Sequence, residues 1–457
     1  MKGFVPTPPA VIDAMLAKLF SGGPPPPNSS VLDPGCGTGA FIEGLMRWSR
    51  RHKTPLPNVV GIESDPRHLV EARTSLGHLK PVQLVNEDFL SSRAGRFDYI
   101  VGNPPYVPIT AISDNERASY RKRYRTATGR FDLYLLFFEQ ALRLLKPGAR
   151  LVFITPEKFT YVRTAEPLRQ MLTSMAVEEI HFVPEATFGE LTTYPTITTV
   201  VNSPAPRETR VILRDGITRR VRLPADGSSW LPAINGVVAD RESHRLRDVC
   251  LRISCGVATG ADAVYVARAA QLATKLQRFA FPTVAGREIG LGKGLAPSHA
   301  MLVPYARNGE LLPEEQLGEL GTYLSQPDRR GKLLRRTCVA HKRWYAFHEN
   351  PPLADILRPK ILCKDITSRP FFLLDDGGEI VPRHSVYYIV PKDPTHLQRL
   401  CDYLNSAVAQ AWLTAHCQRA ANGFLRLQSH VLKRMPVPAE FTTTAQLTWC
   451  GGEVAVL

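Results

Sequence analysis

Ser30-Val31-Leu32-Asp33-Pro34-Gly35-Cys36-Gly37-Thr38-Gly39-Ala40-Phe41-Ile42 is an apolar run, a turn with three glycines, and the start of an amphipathic segment. Strand, turn and helix in that order open an open α/β sheet. Glycine lets the backbone reverse without a Cβ clash and approach a ligand closely. Asp33 stands at the strand end just before the glycines, where it suits a cationic group better than a pyrophosphate. No Lys-Ser/Thr pair follows the glycines, so the turn lacks the parts of a phosphate-cradling P-loop.

The same pattern recurs downstream. Val59-Val60-Gly61-Ile62-Glu63 reads as a second buried strand, its acid lying 24 residues after Gly39. A carboxylate there accepts the hydroxyls of a ribose. Pro81 to Leu90 holds a third strand ending at Asp88-Phe89, an acceptor for an adenine amino group beside an aromatic face. Phe97-Asp98-Tyr99-Ile100-Val101 is a fourth, and Asn103-Pro104-Pro105-Tyr106 follows it. Two prolines cannot continue a sheet, so this loop leaves the strand stiff and extended. Taken singly, each acid is equally a helix cap or a solvated loop charge, and the loop a proline-rich turn. Three acids and Asn-Pro-Pro-Tyr at four successive strand ends define one site along the carboxyl edge of a parallel sheet.

A chain of 457 residues exceeds one compact domain, and two or three are expected. No apolar run approaches the roughly 20 residues that span a bilayer. The N-terminus lacks the apolar core of a signal peptide. Eight cysteines occur without a CxxC pair, which favours a reduced cytoplasmic setting over a disulfide framework and offers no metal site. The net charge of +15 divides into +9 for residues 241–457, with 28 Lys and Arg against 19 Asp and Glu, and +6 for residues 1–240. Both halves suit a polyanionic partner, although many basic proteins bind no nucleic acid.

Thr7-Pro8-Pro9, Asp33-Pro34-Gly35-Cys36-Gly37-Thr38-Gly39, Gly61-Ile62-Glu63-Ser64-Asp65-Pro66, Glu87-Asp88-Phe89-Leu90 and Asn103-Pro104-Pro105-Tyr106 occur in a distinctive order. It resembles the motif order of the TaqI-type adenine-N6 DNA methyltransferases, in which cofactor motifs precede the catalytic one and a target-recognition domain follows. The resemblance continues through Phe131-Asp132-Leu133-Tyr134 and Leu151-Val152-Phe153-Ile154-Thr155-Pro156, and more loosely through Gly256 to Val266, Phe281 to Ile289, Pro359 to Leu362, Leu404-Asn405-Ser406 and Arg434 to Pro438. It implies a Rossmann-like α/β methyltransferase domain over residues 1–240 and a mixed α+β target-recognition domain over 241–457.

The resemblance further implies S-adenosyl-L-methionine as cofactor, contacted by Thr7, Asp33, Gly35, Cys36, Glu63, Asp88, Phe89 and Pro105. Asn103, Pro104 and Tyr106 become the catalytic loop. Phe188 matches an aromatic that packs on the extruded adenine; a core phenylalanine is the equal alternative. Double-stranded DNA is the expected partner of a monomer, with a separately encoded restriction endonuclease. An RNA or protein-glutamine N-methyltransferase, or a non-catalytic DNA-specificity subunit, is the alternative. The first rivals carry their substrate domain ahead of the cofactor motifs, and the last should show a damaged loop.

Two further expectations come from local chemistry. Thr7 is placed to cap the helix beginning near Pro9, and the helix from Phe131 runs to Lys146 before Pro147-Gly148. The densest basic run, Arg329, Arg330, Lys332, Arg335 and Arg336 with Lys342 and Arg343, is either a solvated helical face or a set of phosphate contacts.

Overall fold

A computed structural model describes residues 5–184, 187, 194–204, 208–236, 244–290, 294–420 and 424–442. The chain divides into two units, residues 1–238 and 239–457.

The first unit alternates strands and helices: α1 (Pro9–Leu19), β1 (Ser30–Pro34), α2 (Ala40–His52), β2 (Asn58–Glu63), α3 (Pro66–Leu76), β3 (Val82–Asn86) and β4 (Phe97–Gly102). It continues with α4 (Asp114–Arg123), α5 (Leu133–Arg143), β5 (Leu145–Pro156), α6 (Glu166–Thr173), β6 (Ala176–Phe182), β7 (Pro195–Val201), β8 (Thr209–Ile212) and β9 (Thr218–Val221). The strands form one nine-stranded sheet in the order β3-β2-β1-β4-β5-β7-β6-β8-β9. From β3 to β5 they run parallel, and β7 enters antiparallel between β5 and β6. The order reverses at β1, between β2 and β4, where open α/β sheets bind their ligands.

Period-two alternation explains why both sheet faces are covered. Leu32, Ile100, Leu151 and Phe153 point into one core with α5 and α6. Their neighbours Val31, Val101, Val152 and Ile154 point into the other with α1 and α2. The glycine turn is compact for a specific reason. Gly39 has φ +94°, and a Cβ there would lie 2.3 Å from Leu76 Cδ1, so α2 starts against α3 with no room for a side chain.

Two local expectations need correction. Pro8, not Thr7, occupies the N-cap of α1, and no side chain caps that end. The Thr7 hydroxyl is taken by Asn103 instead, accepting from Nδ2 at 3.0 Å. The helix from Leu133 ends at Arg143, three residues short of Lys146. There β4 captures the chain, with the Phe97 N–H donating to the Leu144 carbonyl at 2.8 Å. Pro147-Gly148 falls inside the twelve-residue β5, where Gly148 takes φ +76° and donates to the Asn202 carbonyl at 2.8 Å.

The second unit is mixed α and β. Its main antiparallel sheet orders Cys250–Cys255, Val386–Pro391, Lys360–Lys364 and Phe372–Asp375. Helices Leu397–Asn405 and Ala407–His416 bury Leu400, Leu404 and Leu413 against one face. A second core gathers Tyr265, Leu302, Tyr345, Phe347 and Tyr388. Among the described residues no helix is long and apolar enough to cross a membrane.

Candidate active site

The carboxyl ends of β1 to β4 enclose a cavity of about 350 Å³. Thr7, Gly35, Cys36, Glu63, Asp88, Phe89, Asn103 and Pro105, from five separate segments, all line it. The approach is close: a Cβ on Gly35 would sit 3.5 Å from Phe137 Cε1 and 3.9 Å from Pro105 Cδ.

Asp33 lies beneath this floor, completely buried, and neither carboxylate oxygen has a partner. Burial, and secondarily the charge of Glu63, hold its carboxyl well above the ordinary value near 3.8. An unpaired buried carboxylate is costly, so the group either keeps its proton or meets a cation. Glu63 is oriented differently. One oxygen accepts the Gly37 N–H at 2.9 Å and the other the Asp65 N–H at 2.7 Å, so β2 and the glycine turn fix its plane. Each oxygen keeps a lone pair for a hydroxyl donor. Asp88 is held by the Leu90 N–H at 3.1 Å and the Ser91 hydroxyl at 2.7 Å. Cys36 is buried, and its thiol is pushed up by that burial, which leaves it a neutral wall rather than a nucleophile.

These acceptors fit S-adenosylmethionine. Glu63 and Asp88 line the cavity as acceptors that would suit ribose hydroxyls and an exocyclic amine, and the orphaned Asp33 carboxyl, just beneath it, would suit an ammonium. The rings of Phe89 and Phe137, 5.1 Å apart, offer an apolar wall for a purine. Phe137, and Glu116 and Tyr120 from α4, line the cavity without belonging to any sequence motif singled out above. Phe137 lies in the apolar run Leu133–Leu142, where its spacing reads only as core. Tyr120 had no local signal at all.

The loop Asn103-Pro104-Pro105-Tyr106 follows β4. Asn103 Nδ2 donates to the Val5 carbonyl and to Thr7 Oγ1, both at 3.0 Å. A backbone carbonyl only accepts, so the amide nitrogen must face it and Oδ1 must face away. Oδ1 is buried with no partner. Tyr106 is half-buried, its hydroxyl reaching the Ile154 carbonyl at 3.4 Å and its ring meeting the edge of Tyr134 at 6.3 Å. Pro104 is buried beside it and does not line the cavity. Phe188 lies outside the described residues.

The basic run of the second unit divides by partner. Helix Pro327–Leu334 carries Arg329, Arg330 and Lys332. Arg336 donates to the carbonyls of Thr259 at 2.8 Å and Trp344 at 2.6 Å, and Lys342 to His348 O and Asn350 Oδ1 at 3.0 and 2.9 Å. These two hold the fold, because their donors are spent on it. Arg329 stacks over Tyr323 at 3.7 Å, half-buried. Arg330, Lys332, Arg335 and Arg343 are exposed.

A glycine turn, strand-end acids and a doubly wound sheet with β7 inserted define a Rossmann-like, S-adenosylmethionine-dependent methyltransferase. Residues 64–188 match the Eco57I restriction-modification methylase family, and residues 325–437 match the TaqI-like C-terminal specificity domain. The chain therefore carries a segment similar to the Eco57I-type methylases followed by one similar to the TaqI-like specificity domain, the order of parts expected of a TaqI-type methyltransferase. It is 28% identical over 390 residues to the Type II methyltransferase M.PaeR7I of Pseudomonas aeruginosa, covering 77% of this chain and 66% of that relative. To the Type II methyltransferase M.BstVI of Geobacillus stearothermophilus it is 26% identical, covering 96% and 90%. Its fold is similar to that of the Type IIL restriction-modification enzyme MmeI, with TM-score 0.62 at 14% identity over 94% of this chain and 63% of that one.

Proposed function

We propose that the protein is a site-specific DNA methyltransferase that moves a methyl group from S-adenosylmethionine to N6 of an adenine flipped out of duplex DNA. The Asn103 Oδ1 carries this reading: a buried acceptor, unpartnered, with its amide nitrogen tied back to Val5 and Thr7. The adenine amino group is a poor nucleophile because its lone pair is delocalised into the ring. When bound, S-adenosylmethionine supplies an electrophilic methyl, and attack on it requires that lone pair to be released and aimed.

Asn103 Oδ1 and the Pro104 carbonyl accept the two N6 hydrogens, favour the pyramidal nitrogen, and disperse the positive charge that grows on it. Held between these two acceptors, the amino nitrogen would face the methyl that the bound cofactor would supply, and its surplus proton would leave to solvent. Because the Asn103 side chain is already oriented, little reorganisation accompanies this step. Tyr106 supplies a stacking face worth roughly 1–3 kcal/mol, comparable with the few kcal/mol needed to unstack a base. Support for a DNA substrate comes from the Type II methyltransferase relatives and from the specificity domain. We assign the enzyme to a restriction-modification system, acting in the cytoplasm as a monomer beside a separately encoded endonuclease.

Asn103→Ala removes one preoriented acceptor, and its methyl transfer should fall by about 10²–10³-fold. Its affinity for S-adenosylhomocysteine should stay within a few-fold of wild type. Sequencing DNA from cells expressing each form supplies the substrate and the site together. Full activity in the variant, or unmodified adenine with the wild type, would sink the reading.

A further inference from the structure

Residues 109–131 leave the catalytic loop and return to it. The Ile109 N–H donates to the Phe131 carbonyl at 3.1 Å, and the Leu133 N–H to the Val107 carbonyl at 2.9 Å. This excursion contains α4, whose Glu116 and Tyr120 line the cofactor cavity. It is also clamped to the Asp88 loop. Arg123 Nη1 donates to the Leu90 carbonyl at 2.9 Å, the Tyr124 hydroxyl donates to the same oxygen, and the Arg123 guanidinium lies 5.5 and 5.7 Å from the rings of Tyr120 and Tyr124.

The solvent side of the excursion is basic. Residues 114–130 hold six Lys and Arg against two acids. Arg117 is satisfied by Asp114 and the Ile112 carbonyl. The side chains of Lys122, Arg125 and Arg130 are exposed, and none is bonded or ion-paired to a described residue. A solvated helix face ordinarily balances its charges through i,i+3 and i,i+4 pairs. Here three free cations stand on one segment that rejoins the catalytic loop and carries part of the cofactor wall.

We infer that residues 109–131 form a phosphate-binding surface in the catalytic unit that couples nucleic-acid binding to cofactor retention. The inference rests on the proposed DNA substrate. Backbone phosphates held by Lys122, Arg125 and Arg130 restrain the excursion. Restraint passes through Tyr120, Glu116 and the Leu90 clamp to the Asp88 end of the cavity. Reciprocity then requires the cofactor to tighten nucleic acid by the same factor.

The test uses the full chain, S-adenosylhomocysteine and a mixed-sequence DNA duplex. Lys122→Gln/Arg125→Gln/Arg130→Gln should bind S-adenosylhomocysteine alone as wild type does. Its slope of log affinity against log salt should flatten by roughly 2.7, at about 0.9 per phosphate contact. Duplex should tighten S-adenosylhomocysteine on wild type about fivefold or more, and this gain should vanish in the triple variant. Tyr120→Ala should lose the tightening while keeping the wild-type salt slope. An unchanged slope, or full tightening in the triple variant, overturns the inference alone, provided the wild type methylates DNA. A wild type that neither binds nor methylates duplex overturns the inference together with the proposed function.

Discussion

Asp33 owes its character to position, since β1 and β4 seal it from water with both oxygens unpaired. Its carboxyl titrates above the ordinary value near 3.8, chiefly through burial. In the unfolded chain the same group ionises normally, so above about pH 4 the folded state binds the extra proton. Stability of the cofactor-free protein is thus fully held below the unfolded value and declines as pH rises toward the folded one. Asp33→Asn removes that slope and should melt higher at neutral pH, by roughly 2–4 °C for each kcal/mol recovered. The same variant should lose cofactor affinity, because an amide cannot neutralise an ammonium. Calorimetry in buffers of different ionisation enthalpy, at a pH above the ordinary carboxyl value and below the raised one, should show the wild type releasing a proton on binding S-adenosylhomocysteine, and Asp33→Asn releasing none. Equal melting curves and equal proton counts for both forms would refute this account.

At the scale of elements, α5 does more than fill the core. Glu139 is completely buried, and its oxygens accept the Arg125 N–H at 3.1 Å, the Thr126 N–H at 2.9 Å and the Thr126 hydroxyl at 2.8 Å, with Arg143 beside them. It therefore pins the return limb of the 109–131 excursion. Glu139→Ala strands those donors, at a cost of roughly 3 kcal/mol. The expected result is a lower melting temperature and faster tryptic cleavage near Arg121 to Arg130; unaltered cleavage would show that the limb is held elsewhere. No pattern in Leu133 to Leu142 announces this, because an acid within an apolar run reads as an interruption until its partners are known. The strand-end acids and Asn103 were readable, since each belongs to a contiguous strand-and-turn pattern. Tyr120 was not, because α4 carries no apolar stripe and its one inward ring is defined by tertiary contact. Thr7 and Arg336 show the same limit. One looked like a cap and serves Asn103; the other looked like a free cation and is consumed by two carbonyls.

At the scale of the whole molecule, each unit has hydrophobic cores of its own among the described residues. The clusters of the first draw on residues up to Ile234 and those of the second begin at Leu246. Separate cores of this size melt as separate cooperative units, so scanning calorimetry should resolve two transitions. The cavity proposed for S-adenosylhomocysteine is lined by residues of the first unit. At about 100 times its Kd the ligand should stabilise that unit's transition by about 2.7 kcal/mol, or roughly 5–10 °C, and leave the other in place. Duplex DNA is different, because exposed cations stand on both units: Lys122, Arg125 and Arg130 on the first, Arg330, Lys332 and Arg335 on the second. It should therefore raise both transitions, and the rise should shrink with added salt as phosphate contacts are screened. A duplex that shifts only the second would confine phosphate contact to the specificity domain and leave the basic excursion of the catalytic unit a solvated face. One transition moved as a whole by S-adenosylhomocysteine would mean that the two sets of cores unfold together despite sharing no described residue.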